Sequence, residues 1–380
     1  MKTVDVAANS VGVIKLPWIN DLTKGLGPST KAIDGAYRLR SNQPVTVYQF
    51  NPIGAAATND ASLLLPVNTW GNEAMAVSWP HWDPYNFPAW YAVVASEDNT
   101  TVTLHPSATG TKIQGGGGVS FDGTGVILLN SGDVVEVMTS KGGDVTGTIA
   151  VADKPISMLA GHTCTNVPSD VAACDHLEEA MFPIDVLAKE YIVVPPVQVP
   201  NNNLAKAQMV KIVASEDNTT LTFEPDIPGN KTLAKAGDFR LITNSTASFK
   251  VSSNKKILVA QFMVGQDAGY GTSDPAMLLT VPAEQYRDEY TFFAETNWVA
   301  NFVDIIAPSG SKVQVDQVAV GGWTNIGNTG FQVAHVSLSN SGDGSHQVTA
   351  DDKVGISVYG VINSGSYWFP GGLDLDIVPQ

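Results

Sequence analysis

Apolar and polar residues alternate with a period of two along most of the chain, in short runs broken by Gly, Asn, Asp and Pro. That period belongs to half-buried β-strands, and it predicts strands almost throughout. Four stretches share one pattern: residues 36–50, 148–159, 248–262 and 346–360. Each reads as a strand, a polar turn with Asn or Asp and often Lys-Pro, and a second strand, which predicts a hairpin.

Other elements recur in register with these stretches. Residues 94–104 return almost verbatim at 213–223, around Glu97-Asp98-Asn99 and Glu216-Asp217-Asn218, with a diverged copy at 306–315. Residues that tolerate positive φ predict a hairpin here as well. A segment opening on Asp60, Asp175 or Asp274 and running to a Pro follows each first hairpin, and Gly-Asp pairs occur at 132–133, 237–238 and 342–343. The first copy is short, with only residues 4–17 to serve as its Gly-Asp-like hairpin, so a trimmed boundary or a natural cap is expected there. The best candidate for a helix is 175–189. Units of about 100 residues with seven or eight short strands fit β-sandwiches. The predicted fold is all-β: tandem, closely packed β-sandwich-like repeat units. The expected divisions are 1–69 (a partial unit), 70–188 (with the Cys loop), 189–288 and 289–380.

Composition agrees with a folded protein: 43% of the 380 residues are hydrophobic and only 15% are charged, against roughly 25% in an average globular protein. The surface must therefore rely on Ser, Thr, Asn and Gly. The net charge of −16, from 21 basic and 37 acidic residues, repels phosphate backbones and anionic lipid heads, so nucleic acid is excluded as a partner. No run of 18 apolar residues occurs, so no membrane insertion is expected. The first residues lack the apolar core of a signal peptide.

Cys164 and Cys174 are the only cysteines. They fit one small disulfide loop, contributing about 2–3 kcal/mol by chain entropy. With His162 and His176 they also form His-x-Cys…Cys-x-His, a ligand set that zinc accepts. The phrases Gly161-His162-Thr163-Cys164, Val167-Pro168 and Ala173-Cys174-Asp175-His176-Leu177-Glu178-Glu179 resemble the N-terminal domain of the IgGFc-binding protein family. So do Lys256-Ile257-Leu258-Val259-Ala260-Gln261-Phe262, Asp274-Pro275-Ala276-Met277, Pro282-Ala283-Glu284-Gln285-Tyr286 and Tyr367-Trp368-Phe369-Pro370-Gly371-Gly372. The resemblance runs from about residue 4 to 372 and is to a bacterial-type member. It implies the disulfide, an extracellular or cell-surface location, and a role in binding or adhesion. It does not imply that immunoglobulin is the ligand. The Cys-rich repeats of the family's mucus protein are absent from this sequence, so covalent mucus networks are not implied.

The most unusual composition lies in 79–91, with six aromatic residues and three prolines in thirteen positions. Aligned with the other copies, it reads as an insertion. Trp79, His81, Trp82, Asp83, Tyr85, Phe87 and Trp90 are the candidate ligand-binding residues, through stacking on sugar rings or anchoring of a protein partner. The alternative is a cap that buries these rings against the N-terminal segment. The Glu-Asp-Asn tips offer oxygens to calcium but read first as turn chemistry. No Gly-x-Ser-x-Gly elbow or His-Glu-x-x-His occurs, and no cofactor is expected. Glu178 and Glu179 sit in the repeated Asp…Pro segment, where the recurring Asp is expected to accept main-chain N–H bonds as a helix N-cap. The expected function is a binding or adhesion module with a protein or glycan ligand. A surface spacer is the second reading, and a carbohydrate-active enzyme using Asp83 the third.

Overall fold

A computed structural model of the chain describes residues 2–22, 26–52 and 58–375. The first strands are β1 (Thr30–Ala32), β2 (Val47–Asn51) and β3 (Asp60–Leu64). Next come β4 (Gly71–Met75), β5 (Ala89–Ala95), β6 (Thr100–His105), β7 (Ile113–Gln114), β8 (Gly125–Leu129), β9 (Val134–Thr139), β10 (Ile149–Thr165) and β11 (Asp175–Ala180). A similar order returns in β12 (Ala188–Val193), β13 (Gln208–Ala214), β14 (Thr219–Glu224), β15 (Thr232–Leu233), β16 (Phe239–Ser245), β17 (Phe249–Met263) and β18 (Met277–Leu279). It returns again in β19 (Arg287–Phe293), β20 (Ala300–Pro308), β21 (Val313–Val315), β22 (Val318–Ala319), β23 (Thr324–Asn325), β24 (Phe331–Ser337), β25 (Ser345–Ile362) and β26 (Gly365–Pro370). All ladders are antiparallel, and the fold is all-β in tandem sandwich-like units.

One long strand organises each of the three large sheets. β10 pairs with β4 and β6 along its first half and with β5 and β11 along its second. β17 does the same with β12 and β14, then β13 and β18. β25 repeats this with β19 and β21, then β20 and β26. The expected strand–turn–strand hairpin is therefore one continuous ribbon that leaves one layer of the sandwich and enters the other. Asp153-Lys154-Pro155 and its counterparts mark that passage, not a reversal. The ladder shifts register beside it, between Val151 and Ile156, Ala188 and Glu190, and Arg287 and Glu289. Turn-forming residues and a proline are tolerated in a strand where a bulge interrupts the ladder.

Four further expectations change. Asn99 and Asn218 do take positive φ, at 55° and 59°. However, β5 pairs with β9 and β10 while β6 pairs with β8 and β10, so the Asp-Asn turn is an arch between layers and not a hairpin. Gly132, Gly237 and Gly342 all have positive φ, yet the first two precede β9 and β16 while Gly342 follows β24, so its place in the unit differs. Residues 175–189 hold β11 and one 3-10 turn, Ile184–Val186, instead of a helix, because 175–180 are consumed in pairing with β10. Residues 4–17 fold back on themselves at Ala7–Ser10 without forming a ladder.

The sheets share cores. One apolar cluster joins Val93, Val137 and Met158 to Phe262, Met277 and Leu279. Another joins Val358, Phe369 and Tyr290 to Ala61, with Tyr48 and Phe50 against it. A third joins Met263 and Leu278 to Phe302, Tyr359 and Trp368. The inner strands close a ring: β3 lies against β11 and β26, and β18 lies against the same two.

Carboxylates occupy the centre of this ring. Asp60 Oδ2 accepts the N–H groups of Met277 (2.9 Å) and Glu178 (3.3 Å), and Oδ1 those of Ala61 (2.9 Å) and Trp368 (3.2 Å). One side chain thus receives main-chain donors from β3, β11, β18 and β26. Asp175 accepts from Asn59, His176 and Ser366, and Glu179 from Ser62 Oγ and Leu279 N. The N-cap expectation is right about the acceptor role of Asp60 and Asp175 and wrong about the helix, since most of their donors lie across the joint; Asp274 departs from it, its buried Oδ1 having no hydrogen-bond partner. Burial pushes the Asp60 carboxyl up, against the pull of its N–H donors, which favour the ionised form. Burial likewise raises Asp175 and Glu179. It raises Asp274 to about 7, helped by Asp267 and opposed by Lys206.

Leaving a buried donor without an acceptor costs about 1–3 kcal/mol. Asp60→Ala orphans several at once and is expected to lower stability by about 3 kcal/mol or more in urea unfolding, against less than about 0.5 kcal/mol for exposed Asp267→Ala. A second expectation concerns pH. Folded Asp274 holds a proton that the unfolded chain releases near its ordinary value, so its contribution is complete in acid and is lost as pH rises towards 7. Between pH 5 and 8 the wild type should therefore lose about 1–2 kcal/mol more stability than Asp274→Asn.

Candidate binding surface

The loops at one end of the ring touch in series. Residues 76–88 connect β4 to β5, and 166–174 connect β10 to β11. Residues 264–276 connect β17 to β18, and 194–207 connect β12 to β13. Trp79 Nε1 donates to Ser169 Oγ at 2.9 Å, and Thr163 N to Pro88 O at 3.1 Å. Gly265 N donates to Val167 O at 3.0 Å. Lys206 Nζ donates to the carbonyls of Tyr270 (3.0 Å) and Gly271 (3.4 Å), and Thr272 N to Val199 O at 2.8 Å. Four loops from two sheets therefore form one continuous surface. Lys206 is buried under it, and burial pulls its ammonium down to about 7, with Asp274 opposing.

The structure divides the seven aromatic-segment candidates between a base and a tip. Trp79, His81 and Trp90 are buried. The Trp79 ring lies 5.2 Å from Phe262, and Trp90 stacks on His176 at 6.1 Å. His81 Nδ1 meets Thr139 Oγ1 at 3.1 Å, and burial holds its imidazole below the usual range. Trp82, Asp83, Tyr85 and Phe87 form the tip. A bridge joins Trp82 to Phe87, Asn86 turns the chain at φ 55°, and Asp83 Oδ1 accepts Gly142 N at 2.9 Å. The rings of Trp82 and Tyr85 are 4.4 Å apart, and Tyr85 and Phe87 stack at 6.2 Å. Tyr85 is 64% exposed. The capping alternative describes the base only, where Trp79 meets Phe262 of β17, Trp90 meets His176 of β11 and His81 meets Thr139 of β9.

The segment is also less of an insertion than the alignment suggests. Residues 194–207 link the matching strands of the next sheet, with their own bridge between Val197 and Ala205. What is particular to 76–88 is its aromatic content, not its presence.

Beneath the base lies Lys211, which sequence reasoning missed. Its Nζ donates to Ser78 O (2.6 Å), Asp144 Oδ2 (2.7 Å) and Thr146 Oγ1 (2.9 Å). It also sits over the Phe239 and Trp79 rings, 4.7 and 5.4 Å from their centroids. Burial lowers its ammonium and Asp144 raises it. The only signal was a lysine inside the apolar run Met209-Val210-Lys211-Ile212-Val213.

Cys164 and Cys174 are joined in a disulfide, so neither thiolate is available to zinc. His162 instead donates from Nε2 to Pro80 O at 3.2 Å, tying the Cys loop strand to the aromatic segment. Among the described residues no group of three or more His, Cys, Asp or Glu side chains has the geometry of a metal site. Glu178 accepts amide N–H groups from Gln49 and Asn51, so it serves the joint.

The model of the IgGFc binding protein family matches residues 60–360, the greater part of the chain. No curated protein and no solved structure matches it.

Base and tip should separate in mutants. Trp79→Ala is expected to cost about 3–5 kcal/mol of stability, as for other buried aromatic truncations. Tyr85→Ala should stay within about 0.5 kcal/mol of wild type. Chemical unfolding of both variants checks this.

Proposed function

The chain belongs to the IgGFc binding protein family, and we propose that it is a secreted or cell-surface binding and adhesion module that recognises a protein or glycan through its loop surface. The observation that carries the reading is the ring set of exposed Tyr85 with half-buried Trp82 and Phe87, held on a base that packing and hydrogen bonds immobilise. Rigid aromatic tips lose little entropy on binding and offer a face to sugar rings or to apolar side chains of a partner. The disulfide fits an oxidising, extracellular location. Among the described residues no helix is long and apolar enough to cross a membrane. Net acidity disfavours nucleic acid.

The family is one of binding modules, and the carboxylates here fit that role better than catalysis. Asp60, Asp175, Glu178 and Glu179 are engaged by N–H and hydroxyl donors, and Asp83 accepts a main-chain N–H in its turn. The divisions at 69, 188 and 288 belong to the same reading, as does the role of each unit in presenting loops.

A glycan array and a panel of extracellular proteins test the assignment. Ligand binding should weaken about tenfold or more in Trp82→Ala and in Tyr85→Ala, each with an unchanged unfolding midpoint. Binding that survives both changes would remove the aromatic tip from the function.

A further inference from the structure

Two opposite charges are buried against each other where the first two large sheets meet. Lys211 lies on β13, and Asp144 lies in the connection between β9 and β10. Nζ rests on Asp144 Oδ2 at 2.7 Å, with side-chain exposures of 1% and 7%. The Phe239, Trp79 and Phe262 rings wall the amine, with centroids 4.7, 5.4 and 6.0 Å from Nζ. Taking two charges out of water is costly, and their mutual attraction seldom offsets it in full. The repeated fold does not demand this pair. Lys211 stands opposite Ala260 of β17, and the matching places in the other two sheets hold Ala92, opposite Leu159, and Asp304, opposite Ser357. The lysine and its partner are therefore particular to this joint.

The surroundings suit an amide as well as they suit an ion pair. Asp144 Oδ1 accepts the Thr146 hydroxyl at 2.6 Å and the Thr146 N–H at 2.9 Å. Two donors on the oxygen that faces away from the amine stabilise negative charge there, as an oxyanion hole does. Nζ also meets Ser78 O at 2.6 Å and Thr146 Oγ1 at 2.9 Å. Thr146 Oγ1 thus touches both the amine and the carboxylate, a position from which a hydroxyl relays protons. Ser78 and Thr146 are themselves buried. Burial pulls the Lys211 ammonium down, although Asp144 opposes this, and so favours the free amine, the nucleophilic form. Contact between nucleophile and carboxyl in a fixed, water-poor cage supplies the proximity that the reaction otherwise lacks.

We propose that Lys211 and Asp144 condense into a side-chain amide, an autocatalytic cross-link between the first and second large sheets. The Nζ–Cγ bond forms and the Cγ–Oδ2 bond breaks. Oδ2 leaves as water with two of the three ammonium protons, and the third stays on the amide nitrogen. Atoms and charge balance without an added reagent, and nothing is oxidised or reduced. The product N–H points to Ser78 O, and Oδ1 becomes the amide oxygen and keeps both Thr146 donors. One neutral group with both ends satisfied then replaces two buried charges. The bond locks the base of the aromatic segment to β13, and it stands whether or not the tip binds a ligand.

Intact-mass spectrometry of the full chain, held folded at neutral pH and then denatured and reduced, tests it. The wild type is expected to be lighter than its sequence mass by one water. A tryptic map should show no cut after Lys211 and one branched peptide that joins it to Asp144. Lys211→Arg and Asp144→Ala should each keep the full sequence mass. Thr146→Val should form the bond about a hundredfold more slowly. The wild-type measurement decides by itself where a variant does not fold. A wild type at full sequence mass, cut by trypsin after Lys211, overturns the proposal and leaves an ion pair only. A lost water that maps to any other residue overturns it too.

Discussion

Everything in this fold depends on giving acceptors to main-chain N–H groups where four strands from different sheets meet. At this joint no ladder links the inner strands, each of which pairs only with a strand of its own sheet. Asp60 resolves the geometry with two oxygens that serve β3, β11, β18 and β26 together. Asp175 and Glu179 extend the same solution to the neighbouring contacts. Burying carboxyls is unfavourable in isolation, and here the N–H donors offset that cost while making the joint specific for one arrangement.

The second constraint is the long strand that belongs to both layers of its sandwich. Because β10, β17 and β25 pass between layers without reversing, the loops between the layers are fixed at both ends by the same ribbon. The connections at 76–88, 166–174, 194–207 and 264–276 therefore emerge side by side and brace one another. Lys206 and Lys211 complete this support from beneath, each a buried ammonium whose donors are placed on backbone or side-chain oxygens. Above this support stand exposed Tyr85 and half-buried Trp82 and Phe87.

Among the described residues the first strands make a smaller sheet than the rest, β2 with β3. They contribute the inner strand that lies against β11 and β26 and so close the ring.

The sequence alone determined the strand content, the repeated order of elements and the positive-φ turns at Asn99 and Asn218. It did so because side-chain alternation and turn chemistry are local properties. It also marked Asp60 and Asp175 as structural acceptors, since one active site does not need the same residue in every copy, but the same expectation fails at Asp274, whose buried Oδ1 has no hydrogen-bond partner. The resemblance of the Cys-loop phrase led to the family and to the disulfide. Tertiary structure decided the rest. Whether Lys-Pro turns a strand back or lets it cross between layers depends on which strands lie beside it, and those neighbours are distant in sequence. The division of the aromatic segment into buried base and exposed tip depends on Phe262 and Lys211, more than a hundred residues further along the chain. Burial by remote segments leaves no local trace, so composition could single out these rings but could not say which of them face water.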